Sequence, residues 1–215
     1  MDVSSITGNE ILQMLLTIHI LAGAVALLCA ALAISFEKGK KRHILAGRTY
    51  FWCMVAIFLT AIPMSMMTGN IFLFLIAIFS FYLAFSGLRF AINRKGIATS
   101  LDWMAVCFMM SSGVGMWVLA AIYFVDDNPQ TITLLVFGLL ALILGYRDFK
   151  SHKHQTATGK ERIAKHLNNM MGGTIAVITA VLVVNVDLEP VWVWWVLPTG
   201  LITPVIYWWT AKVLK

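Results

Sequence analysis

Five histidines carry most of the chemistry this chain could do. His19 lies inside a long apolar run, and an ionisable group within a membrane span is a functional candidate by default. Counting the same depth along the other apolar runs reaches Thr60, Thr179 and Thr199, which together with His19 would make a small polar pocket in the outer half. The plainer reading is a neutral His19 that donates one hydrogen bond to a threonine or a carbonyl. His43, His152, His154 and His166 gather at the ends of apolar runs, near Arg48, Arg147, Asp148, Asn168 and Asn169.

Imidazole is the commonest metal ligand, and three or four converging rings would suit zinc. The spacing offers little support, since the chain holds neither His-Glu-x-x-His nor Cys-x-x-Cys. His152 and His154 sit in a Lys-rich stretch and are expected to be solvated in a loop. A bis-histidine haem needs two imidazoles at matching depth. His19 has no histidine at its own level, and His43 and His166 match only at the membrane edge. Zinc and haem are therefore both conceivable and neither is favoured. No phosphate-binding glycine loop, dinucleotide fingerprint or serine nucleophile elbow is present. Asp102 and Asp148 read as a helix cap and a charge partner for Arg147.

The elements that must position these residues are membrane helices. Of 215 residues, 60% are hydrophobic and 12% charged, with a mean hydropathy of +0.84. A soluble domain is about a quarter charged, so this chain has too few polar groups to cover itself in water. Continuous apolar runs, not alternating ones, predict α-helices and exclude a barrel. Seven spans are expected, at about 11–36, 49–67, 71–93, 103–125, 131–146, 166–186 and 191–211, forming one all-α polytopic domain over 1–215. The polar stretches Glu37–Tyr50 and Arg147–Lys165 read as loops. Met1–Glu10 has no Lys or Arg, so the first span is expected to be a retained helix. Cys29, Cys53 and Cys107 all fall within spans, which argues against a disulfide framework.

With seven crossings, all sixteen Lys and Arg fall on one face and Asp2, Glu10, Asp126, Asp127, Asp187 and Glu189 on the other. Basic loops stay cytoplasmic, which predicts N-out and C-in. The +6 net charge then meets lipid headgroups and points away from nucleic acid. Trp192, Trp194 and Trp195, with Tyr207, Trp208 and Trp209, mark the two interfaces of the last span. Small residues every four positions, Gly172/Ala176/Ala180 and Ser111/Gly115, are read as close helix contacts.

Three motifs carry a family resemblance. They are His19-Ile-Leu-Ala-Gly-Ala-Val-Ala-Leu27, the basic segment His43-Ile-Leu-Ala-Gly-Arg-Thr-Tyr50, and a later span with His166, Met170 and Ile175-Ala-Val-Ile-Thr-Ala180. Together they resemble a family of bacterial multi-pass membrane proteins that carry a domain of unknown function. The chain departs from that pattern at Ile44, where many relatives have Arg. The resemblance implies an inner-membrane helical bundle, with recurring features on His19, His43, Gly47, Arg48, Tyr50 and His166, and no established activity. The expected pocket unites His43, Arg48, His166 and Asn169 at the inner face, with His43 and His166 as the candidate metal ligands and His19 separate. Small-molecule or ion binding or transport is the favoured reading. A membrane redox or metal-dependent enzyme, or an accessory subunit of a larger complex, are the alternatives.

Overall fold

The computed structural model describes residues 3–215, with side chains from Gly8 onward. It is all-α: seven helices, each long and apolar enough to cross a membrane. They are α1 (Val3–Ser35), α2 (Lys41–Met67), α3 (Ile71–Ile92), α4 (Ser100–Val125), α5 (Gln130–His154), α6 (Gly159–Asn185) and α7 (Val191–Leu214). Even the shortest, the 22 residues of α3, spans about 33 Å at 1.5 Å per residue, against a hydrocarbon core of about 30 Å. Large apolar side chains face outward on every helix, among them Leu21, Trp52, Phe108 and Leu201. In water this would be an aggregating surface, whereas lipid makes it the solvated one.

The helix ends follow the local chemistry of the sequence. After α2, Gly69 turns the chain at φ +64, and the Asn70 side chain accepts the Leu73 N–H at 3.0 Å to open α3. At Asp126–Pro129 the backbone turns through a positive φ at Asp127, and the Asn128 side chain accepts the Gln130 N–H at 2.9 Å. Lys38 donates to the carbonyls of Ala33, Ile34 and Phe36, neutralising the end of α1. Partial burial there lowers its pKa from the ordinary lysine value.

The two polar stretches are not loops. α2 begins at Lys41, so most of the basic segment is helical. α5 runs eight residues past Tyr146, α6 begins at Gly159, and only residues 155–158 connect them. The reason lies in the continuing helical stripe of α5. Its buried positions Leu134, Phe137, Gly138, Ala141, Gly145, Asp148, Ser151 and His152 keep a spacing of three and four straight through the polar residues. Charged residues between them changed the composition without breaking the period.

The chain divides into two compact units, Met1–Ala77 and Ile78–Lys215. In the first, α1 and α2 pack along each other. Buried residues recur at Ala26, Cys29 and Ala30 on α1, and at Ala46, Tyr50 and Met54 on α2. In the second, α4 packs on α5, and α7 lies against α6 and reaches α5. Side chains from the later part of α3 join α4, α5 and α6.

The α4–α5 contact is backbone-close. A Cβ on Gly113 would lie 3.1 Å from the Gly138 carbonyl oxygen. This small-residue contact of α4 runs through the buried Ser112 and Gly113, whereas Ser111 is exposed. Gly172 does make a close contact, with a Cβ position 3.3 Å from Leu83.

Candidate functional site

In the first unit, the His19 ring nitrogen Nδ1 is 2.9 Å from the Thr60 hydroxyl. That hydroxyl donates in turn to the carbonyls of Ala56 and Ile57, at 2.8 and 3.0 Å. With its proton so placed, the threonine oxygen accepts from His19, which puts a proton on the Nδ1 of that ring. His43, in the first turn of α2, donates from Nδ1 to the Ala33 carbonyl at 2.9 Å and ties the two helices together at their basic end. Arg48 is exposed one turn further on.

His166 and Asn169 belong to the second unit. His166 donates from Nδ1 to the Gly87 carbonyl at 2.8 Å. The helices can meet there because Gly87 has no side chain; a Cβ would fall 2.9 Å from Met170. Asn169 is buried and turns inward to a set of charged groups on α5 and α6. Among the described residues, no three His, Cys, Asp or Glu side chains are grouped so as to hold a metal ion.

The centre of that set is Asp148. Its Oδ1 accepts from Lys165 Nζ at 2.8 Å, and its Oδ2 accepts from the Tyr82 hydroxyl at 2.9 Å. The Asn169 amide reaches the same Oδ2 at 3.5 Å and the Lys165 carbonyl at 3.1 Å. Lys165 also donates to the Arg147 carbonyl at 3.1 Å. Asp148 lies six residues before the end of α5, and Lys165 six residues after the start of α6. Both therefore sit at about 9 Å depth from the same helix ends, which is why they meet. The Asp148 side chain is 4% exposed and that of Lys165 13%. The expected partner Arg147 is the wrong one: successive residues on a helix diverge by about 100°, so Asp148 faces Lys165 while Arg147 turns to another side of α5.

His152 is likewise corrected. It is a buried helical residue, stacked on Phe90 at 5.3 Å and 11°, with Trp103 edge-on at 5.8 Å. Beside it, Arg89 grips Asp102 with two hydrogen bonds of 2.7 and 2.8 Å. Asp102 also accepts the Thr99 N–H at 2.7 Å, so it caps α4 as expected while serving as an ion partner. Lys165 and Tyr82 were not among the residues singled out from sequence, and His152 was expected in a solvated loop. The unbroken period of α5 through Asp148 and His152 was the available signal.

Beside this cluster, α5, α6 and α7, with Phe79 and Leu83 of α3, line a half-open cavity of about 440 Å³. Its walls are apolar, with Leu83, Phe137, Ile175 and Ile206 prominent, and Gly172 and Ala176 leave room on α6. Arg147, Asn168 and Thr210 line one end of it, the end nearer the α5–α6 connection. Thr210 donates to Asn168 Oδ1 at 2.6 Å, bridging α7 to α6. Thr199, one of the threonines placed by depth, lines the same cavity from α7. An apolar space of this size, with a few polar groups collected at one end, is the usual form of a small-molecule site.

The architecture is that of a multi-pass membrane protein. Comparison with protein-family models, with curated proteins and with solved structures gives no match. The cavity and the charged cluster are therefore the ground for a functional reading.

Proposed function

We propose that this protein binds a small amphiphilic molecule in the cavity between α5, α6 and α7, and carries or presents it within the bilayer. The observation behind this reading is the cavity itself: apolar along its length and polar at one end, where Arg147, Asn168 and Thr210 gather. The reading keeps small-molecule binding but moves it from the histidines to Arg147, Asn168 and Thr210. A metal-dependent enzyme at His43 and His166 has less support, because among the described residues no three His, Cys, Asp or Glu side chains are grouped so as to hold a metal ion.

The test is to fill the cavity. In Ala176→Trp the indole would occupy the space beside Ile175 and Gly172. Purified wild-type protein is expected to retain a co-purifying amphiphile, detected by mass spectrometry after organic extraction. The Trp variant is expected to retain at least about tenfold less while keeping its elution volume, since the bound molecule loses the burial that holds it, at about 25 cal/mol per Å². Equal retention would refute the site.

We propose further that the protein lies in a bacterial inner membrane with its N-terminus outside, in keeping with the family resemblance and with sixteen cations on one face. In a background without native cysteines, Asp127→Cys should react with an impermeant thiol reagent on intact cells. Lys153→Cys, which is exposed at the opposite end of α5, should react only after lysis. The reverse pattern would invert the topology.

A further inference from the structure

We infer that the cavity selects amphiphiles with an anionic oxygen head, a long-chain carboxylate or phosphate ester, and rejects neutral ones. This rests on the amphiphile reading above and adds the charge of the ligand.

The argument is an inventory of donors and acceptors at the polar end. Arg147 contributes a guanidinium, which can only donate. Its sequence neighbour Asp148 does not neutralise it, because that carboxylate is turned into the helix interface and taken by Lys165 and Tyr82. Arg147 forms no ion pair among the described residues. Asn168 has one acceptor atom, Oδ1, and it already accepts from Thr210. The Asn168 amide N–H groups remain as donors, and the Thr210 proton is already committed. No Asp or Glu lines the cavity. The polar end is thus a cluster of donors carrying a positive charge, joined to an apolar trough.

A neutral alcohol would satisfy one or two of these donors and leave the charge unmatched. A carboxylate or phosphate accepts several hydrogen bonds at once, and the guanidinium fork fits its oxygens two at a time. The apolar walls on Phe79, Leu83, Phe137, Ile175 and Ile206 then require a chain attached to that head, which a free anion lacks.

The experiment uses the full chain in phosphatidylcholine nanodiscs. Photoreactive probes of equal chain length, one a C16 carboxylate and one a C16 alcohol, are crosslinked and the labelled peptides mapped. The carboxylate is expected to label α5–α7 peptides at least about tenfold more efficiently than the alcohol, as a charge-assisted bidentate pair is worth roughly that factor. Arg147→Gln should reduce carboxylate labelling about tenfold and alcohol labelling much less, so that the ratio of the two falls; Arg147→Lys should recover part of the loss. Arg147 is exposed, so these variants are expected to fold. Equal labelling by both probes, or a ratio that Arg147→Gln does not alter, overturns the charge selectivity while leaving amphiphile binding in place. No labelling by either probe overturns the amphiphile reading itself. Loss of carboxylate labelling in millimolar inorganic phosphate would make the head site an anion site that does not need the chain, and would overturn the proposal.

Discussion

Asp148→Ala is expected to destabilise the protein by about 3–5 kcal/mol, the range for removing one partner of a buried ion pair. The carboxylate serves Lys165, Tyr82 and the Asn169 amide at once. Its removal leaves an ammonium and a phenol in a part of the bundle where water cannot replace the lost acceptor. Lys165→Ala should cost a similar amount by stranding the carboxylate. The double substitution Asp148→Leu with Lys165→Met should recover most of the loss, because two apolar side chains of similar bulk carry no desolvation penalty. Unfolding in a maltoside detergent, followed by tryptophan fluorescence, reads all three. Single variants within about 1 kcal/mol of wild type would mean that water or lipid headgroups reach the pair and that it does not hold α5 to α6.

The second large effect is expected at Gly138. A Cβ there would stand 2.5 Å from Trp117 Cδ1 and 3.0 Å from the Gly113 carbonyl oxygen. The indole could swing outward, but it would give up its 3.2 Å hydrogen bond to the Leu135 carbonyl. The carbonyl of Gly113 can move only if α4 moves. Gly138→Ala should therefore cost about 1–3 kcal/mol, the range for overpacking, and Gly138→Leu should separate the two helices and prevent stable folding. Gly200→Ala is the matched contrast. It meets nothing within 4 Å in the middle of α7, and should add about 0.5–1 kcal/mol through helix propensity alone. The same thermal assay compares both. If Gly138→Ala behaved like Gly200→Ala, the close approach of α4 and α5 would be wrong.

The sequence alone determined the seven spans and the breaks after α2 and α4, but not where α2 and α6 begin or where α5 ends. Burying apolar surface in lipid requires continuous apolar runs, and Thr68-Gly69-Asn70 and Asp126-Asp127-Asn128-Pro129 stop helices for local reasons of backbone conformation. It also determined the cap at Asp102, which lies three residues from Thr99. The levelling of His19 with Thr60 followed from rise per residue alone.

What only the tertiary structure decided is which residues share a partner. Asp148 lies next to Arg147 in the chain, yet pairs with Lys165, because helical geometry sends neighbours to different faces and brings α6 to only one of them. His152 looked solvated by composition, but a helical period that outlasts the change in composition carries it inward onto Phe90. The expected group of His43, Arg48, His166 and Asn169 draws on both units and rests on shared depth alone. Depth fixes height along a helix and says nothing of azimuth or of which helices adjoin. The cavity was invisible for the same reason: Arg147, Asn168 and Thr210 lie on three helices, and only the packing of α7 against α5 and α6 makes them one site.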